Sequence, residues 1–232
     1  MTEHFRAGDR VGDIVTQLPD AAKLFMAYNI DFCCGGSRSL SEAADEQGLN
    51  VREVLVSLEG LQKRQSVNNT GVTDWSQQSA TRLTEYIVST HHAFLKENLS
   101  RISELLFMIL LVHSDRHPEL YRVHELYNDL RKELEAHLVK EETILFPLIQ
   151  LYEADADGGP DRDQLIEVMG NIEDEHVLAG DILKELREIT DGYRPPEDGC
   201  GTFEISYRKL AELEENTFRH IHLENNVMFQ KI

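Results

Sequence analysis

An all-α fold, a small helical domain followed by an up-down-up-down four-helix bundle, is what the sequence predicts, and three observations carry it. Four long stretches, residues 78–113, 119–154, 161–190 and 202–230, each thread on apolar residues three and four apart, the spacing that keeps side chains on one helical face. Proline and glycine separate them: Pro118 after the first, Gly158, Gly159 and Pro160 after the second, and Gly192, Pro195, Pro196 and Gly199 after the third. Connections that short imply antiparallel neighbours. No strand-type alternation competes over any useful length.

Ahead of the bundle the helical patterns are short: 11–18, 20–28, and segments opened by Ser39 with Glu42 and by Asn50 with Glu53. Both pairs have the spacing at which an N-cap and an acidic side chain satisfy free amides. Cys33, Cys34, Gly35 and Gly36 therefore fall in a loop between helices. The polar stretch 62–78, with two valines and the sole tryptophan, Trp75, reads as a linker between a helical domain at 1–61 and a bundle at 79–232.

With 232 residues, 41% of them hydrophobic, the chain has room for one full domain and a small companion. No apolar run approaches the roughly 18 residues of a membrane span, and residues 1–10 lack the pattern of a signal peptide, so a cytoplasmic location is expected. Lys and Arg number 23 against 42 Asp and Glu, a formal charge of −19 that disfavours nucleic acid and anionic membrane as partners. Three cysteines are too few for a disulfide framework, and adjacent Cys33 and Cys34 could pair only in a strained ring. They read as thiols of a reducing compartment.

The polar interruptions of the four seams carry the chemistry. The first runs Val88, His92, Leu95, Leu99, Ile102, Leu106, Ile109, and the second Val123, Tyr127, Leu130, Leu134, His137, Glu141, Ile144, Leu148, Leu151. The third runs Leu165, Met169, Ile172, His176, Ala179, Leu183, Leu186, and the fourth Leu210, Leu213, Thr217, His220, Glu224, Val227. Four imidazoles and two carboxylates thus point inward. Buried without partners, each would cost several kcal/mol, and a shared cation removes that penalty.

Depth supports sharing. His92 and His176 lie about 14 and 15 residues from their helix starts, and His137 with Glu141 about 15 from their helix end, one level in an antiparallel bundle. His220 and Glu224 sit about 8 residues from theirs, which needs only a shorter last helix. The run His137, Glu141, Ile144, Leu145, Phe146 repeats as His220, Glu224, Val227, Met228, Phe229. Two such pairs plus two lone histidines make two equivalent half-sites, each with a carboxylate able to bridge, so the stoichiometry suits a dinuclear centre. Imidazole and carboxylate favour iron or manganese, with zinc and nickel still compatible by ligand type.

A lone His and Glu four apart is usually only a helix-stabilising surface pair. Six such residues on four seams are not so easily explained. His91 lies about 100° around the helix from His92 and off the seam. Glu142 and His222 also point away from the seams and are expected at the surface. His113 is on the first seam but roughly 31 Å from His92, too far to reach the same metals. Gly35 and Gly36 permit unusual backbone angles and leave little cover, which suits a loop presenting the Cys33 and Cys34 thiols, where the plainer reading is two small packing residues. Cys200, in a glycine-rich connection, reads as incidental.

With these motifs the chain resembles the iron-sulfur cluster repair di-iron proteins, whose C-terminal part is hemerythrin-like. The resemblance spans nearly the whole chain: CCGG at 33–36, HLVKEETILFP from His137 and HIHLENNVMF from His220, with Gln230 standing where the family often has proline. It implies two non-haem iron ions, oxo- or hydroxo-bridged, on His92, His137, Glu141, His176, His220 and Glu224. It also implies restoration of clusters damaged by oxidative or nitrosative stress, by iron donation or by reduction of nitric oxide. Damaged iron-sulfur proteins, an electron donor, nitric oxide or dioxygen, and a second copy of the chain are then the partners, with Cys33 and Cys34 relaying electrons or docking the client. The competing expectation is a hemerythrin-type oxygen or nitric oxide carrier or sensor. Such carriers offer five or more terminal imidazoles, and four here leave more open positions.

Overall fold

The computed structural model describes residues 4–68, 73–154 and 162–232. Their regular structure is helical apart from one isolated bridge between Arg10 and Ser39. They fall into two compact units, Met1–Leu83 with Phe218–Ile232 and Thr84–Thr217. The last turns of the final long helix therefore group with the N-terminal residues, a membership that the linear reading at 61 and 79 does not contain. The glycines and proline at 158–160, expected to break the second helix, lie outside the described residues.

In the first unit, α1 (Val11–Gln17), α2 (Ala21–Ala27), α3 (Leu40–Glu46) and α4 (Val51–Asn68) enclose Val11, Ile14, Phe25, Leu40 and Leu58, all fully buried. The expected capping box starts α3: the Glu42 amide donates to Ser39 Oγ at 3.2 Å, and the Ser39 amide donates to Glu42 Oε2 at 2.9 Å. Asn50 caps α4 by accepting from the Arg52 amide at 3.0 Å. Helix α4 continues to Asn68, through the first part of the stretch expected to be linker. Gln62, Lys63, Arg64 and Gln65 are good helix formers with no glycine or proline among them, so polarity alone did not end the helix.

The four long helices follow the predicted bounds closely. The first comprises α5 (Ala80–Ile87), a π-turn at Val88–His92 and α6 (Ala93–His113). The second runs from α7 (Glu119–Lys140) through a π-turn at Glu141–Leu145 into α8 (Phe146–Ala154). Then come α9 (Arg162–Ile189) and α10 (Gly201–Leu223), the latter continued by a π-turn at Glu224–Met228. Within the second unit α7 packs against both α6 and α9. Buried Tyr127 of α7 donates its hydroxyl proton to the Leu99 carbonyl of α6. Gly192, at φ 70°, closes the C-terminus of α9 with its amide on the Arg187 carbonyl at 2.8 Å, a left-handed position that glycine adopts without Cβ strain. Arg187 itself grips Glu214 of α10 with two N–H donors, Nε to Oε1 at 2.9 Å and the second to Oε2.

Candidate metal centre

Each of the three π-turns contains one candidate ligand: His92 ends the first, and Glu141 and Glu224 open the second and third. A π-turn adds a residue to the helical ladder and rotates everything beyond it relative to a regular α-helix. The second seam shows the effect. Beyond Glu141, the buried positions are Leu145, Phe146 and Ile149, whereas Ile144 and Leu151, expected inside, are 48% and 58% exposed. On the first helix the same shift puts Ile87, not Val88, in the core one step ahead of His92. The expected second seam was therefore right up to Glu141 and one position off beyond it, whereas the first was off only ahead of His92.

In the second unit the structure brings His92, His137, Glu141 and His176 together. Glu141 is fully buried, and imidazole Nε2 atoms surround its carboxylate: His92 at 3.1 Å from Oε2, and His137 and His176 at 2.9 and 3.8 Å from Oε1. The Nε2 atoms of His137 and His176 face each other at 3.2 Å. His91 is buried elsewhere, its ring set edgewise on Tyr86 at 5.8 Å.

Carboxylates hold the opposite ring nitrogens. His92 Nδ1 is 2.7 Å from Glu142 Oε1, and His137 Nδ1 is 2.9 Å from Glu175 Oε2. An ionised carboxylate only accepts, so each Nδ1 carries the proton and each Nε2 keeps its lone pair for the buried side. Lys96 donates to both Glu142 oxygens at 2.6 and 2.9 Å, and Lys140 donates to Glu175. Burial raises the Glu142 carboxyl, but hydrogen bonds and charge from Lys96 and His92 outweigh it and hold it below the usual range. Glu175 is held low chiefly by its bond from His137, with Lys140 assisting against burial. Burial also pushes His137 down, yet the charge of Glu141 and the two carboxylate contacts prevail and raise it. The pocket thus stabilises positive charge beside Glu141, and its donor set fits a transition-metal cation.

Glu142 was expected at the surface; its side chain is only 28% exposed and orients His92. Its signal was present, since an imidazole that gives Nε2 to a metal needs an acceptor for its other N–H, and a second carboxylate stands beside Glu141 and another beside His176. Nothing in the spacing says which carboxylate serves which histidine.

In the first unit His220 and Glu224 form a buried pair, Nε2 to Oε1 at 3.3 Å. Two residues beyond Glu224, the Asn226 side-chain amide donates to the carbonyls of Cys33 at 2.8 Å and Phe32 at 3.3 Å. Gly36 is needed here for space rather than for an unusual angle: a Cβ at that position would collide with the Asn226 side chain and meet the Phe32 carbonyl at 2.8 Å. Cys33 is buried, its Sγ 3.9 Å from that of Cys34 and 3.4 Å from Asp31 Oδ1, which also accepts from the amides of Cys33, Cys34 and Gly35. The contact with Cys34, burial and the Asp31 charge all push the Cys33 thiol well up. His222, expected at the surface, is buried edgewise against Phe32 at 5.8 Å, and burial takes its imidazole down to about 4.

Residues 7–62 match the family described as Domain of Unknown function (DUF542), and residues 83–232 match the family described as Hemerythrin HHE cation binding domain. The chain is 32% identical to the iron-sulfur cluster repair protein ScdA of Staphylococcus haemolyticus, over 95% of this chain and 96% of that one. It is 32% identical to a probable iron-sulfur cluster repair protein of Haemophilus influenzae, over 97% of both chains. With the iron-sulfur cluster repair protein YtfE of Pectobacterium atrosepticum it shares 35% identity over 95% of both.

Proposed function

Because the chain belongs to the iron-sulfur cluster repair proteins that carry a hemerythrin HHE cation binding domain, we propose that it repairs iron-sulfur clusters damaged by oxidative or nitrosative stress, through a di-iron centre. His92, His137, Glu141, His176, His220 and Glu224 would hold the iron, the imidazoles through nitrogen and Glu141 and Glu224 through their carboxylates. The observation that carries the reading is the fully buried Glu141 carboxylate met by three imidazole Nε2 atoms, two of whose rings are pinned through Nδ1 by Glu142 and Glu175.

When bound, the iron pair supplies adjacent coordination positions and stored electrons for a small ligand such as nitric oxide. The chain's own residues set the conditions. Glu142 and Glu175 keep the protons of His92 and His137 on Nδ1, and Lys96 and Lys140 keep those carboxylates ionised. Phe146 stacks on His92 at 5.6 Å between centroids and shields that side from water. Cluster proteins of a reducing cytoplasm are the clients, and an external donor returns the electrons.

The test is anaerobic reduction of the purified chain with iron quantified, then nitric oxide with gas products measured, beside repair of a nitric oxide-damaged iron-sulfur enzyme. About two irons per chain, nitrous oxide release and restored client activity are expected, all depleted in Glu141→Ala. Reversible oxygen binding with no repair would establish the carrier function instead. Full iron in Glu141→Ala would remove that residue from the ligand set.

A further inference from the structure

At the opposite end of α6 from His92, the structure brings together two residues that sequence spacing leaves unrelated. His113 Nε2 lies 3.2 Å from the Sγ of Cys200. His113 is only 5% exposed, its ring held edgewise by Phe203 at 5.4 Å, whereas Cys200 is exposed. We propose that Cys200 and His113 form a metal-independent reactive site, in which Cys200 is a thiolate nucleophile towards hydroperoxides and becomes a reversible oxidation site.

The tautomer follows from the surroundings. Among the described residues no acceptor reaches the buried Nδ1 of His113, and an N–H left there would lose its hydrogen bond. A proton carried on Nε2 points at the sulfur, so the imidazole can donate to Cys200 Sγ. Cys200 directly precedes Gly201, the first residue of the 23-residue helix α10. Hydrogen bonds from the Phe203 and Thr202 amides and the Thr202 hydroxyl also favour the anion, and together they hold the thiol below its ordinary range. Cys200 is exposed, so a small oxidant can approach its sulfur.

Other charges nearby are largely paired. His117 lies between Glu119, 3.1 Å from Nδ1, and Asp198, 2.9 Å from Nε2, and Asp198 also binds Arg116 at 3.0 Å. On α10 the charged side chain of the first turn is Glu204, which opposes the thiolate weakly from an exposed position. The contrast with Cys33 is complete: that thiol is buried and pushed up.

The chemistry balances with hydroperoxide as oxidant. The Cys200 sulfur attacks one peroxide oxygen, an S–O bond forms and the O–O bond breaks. Sulfur loses two electrons, and the departing alkoxide, or hydroxide from hydrogen peroxide, takes a proton from solvent to leave as alcohol or water. A small thiol can then displace water from the sulfenic acid to give a mixed disulfide.

The full chain carrying Cys33→Ala and Cys34→Ala, with Cys200 as its only thiol, tests this. Iodoacetamide alkylation is followed against pH, and hydrogen peroxide oxidation is trapped with dimedone and located by mass spectrometry. The alkylation inflection should fall below the ordinary thiol value of about 8.5, and dimedone should label Cys200. His113→Leu should raise the inflection and slow labelling at pH 7 about three- to ten-fold, with His113→Gln recovering part of the loss through its own N–H. Should His113→Leu fail to fold, Thr202→Val removes a second donor at the surface and should move the inflection the same way. An inflection at the ordinary value, or one that neither His113→Leu nor Thr202→Val moves, overturns the site, as does the absence of dimedone on Cys200.

Discussion

The side-chain amide of Asn226 donates a 2.8 Å hydrogen bond to the backbone carbonyl oxygen of Cys33. It thereby ties the cysteine loop to the turn that follows Glu224. Asn226→Ala leaves the Cys33 and Phe32 carbonyls without this donor, so the variant should lose about 1–3 kcal/mol. Urea unfolding followed by circular dichroism measures it, and a midpoint equal to the parent's would show that the contact contributes nothing.

Glu142 and Glu175 orient His92 and His137 without being ligands themselves. Glu142→Gln or Glu175→Gln keeps the shape but weakens the acceptor, and iron affinity should drop about 10–100-fold. Competition against a coloured chelator reads the change. Unchanged affinity in both variants would mean that burial alone holds the rings.

The Ser39 and Glu42 capping box should contribute to the first unit in a pH-dependent way. The Ser39 hydroxyl and amide hold the Glu42 carboxyl below its ordinary value. A depressed folded-state pKa gives stability that is present above the unfolded value and disappears as pH falls through the folded one. Ser39→Ala should cost about 1 kcal/mol at neutral pH. The gap between parent and Glu42→Gln in thermal unfolding should close on acidification. A gap that widens towards acid contradicts the assignment.

Arg187→Met takes the guanidinium from Glu214 and leaves its carboxyl the Tyr193 hydroxyl; that side chain is 1% exposed, and burial already raises its carboxyl against the pull of Arg187. The expected loss is about 3 kcal/mol, the lower end for a broken buried pair, because Arg187 is partly exposed. Arg187→Met with Glu214→Leu should regain most of it in the same denaturation assay. No recovery would point to lost packing rather than a stranded charge.

The sequence by itself determined the helices and the candidate ligands. Apolar periodicity, the Ser39 cap and the Gly192 stop act within a few residues of chain, and six polar residues on four apolar seams stand out wherever the helices end up. Tertiary structure alone decided what each side chain meets. The π-turn at Glu141 exchanges Ile144 for Leu145 in the core, a one-residue slip that an ideal period cannot show. Glu142 and Glu175 become partners of histidines on other helices, and Cys200, incidental in the chain, comes within 3.2 Å of a buried imidazole. Helical periodicity reports which side of its own helix a residue occupies. Which atom waits on the facing helix depends on register and rotation between elements, and only packing sets those.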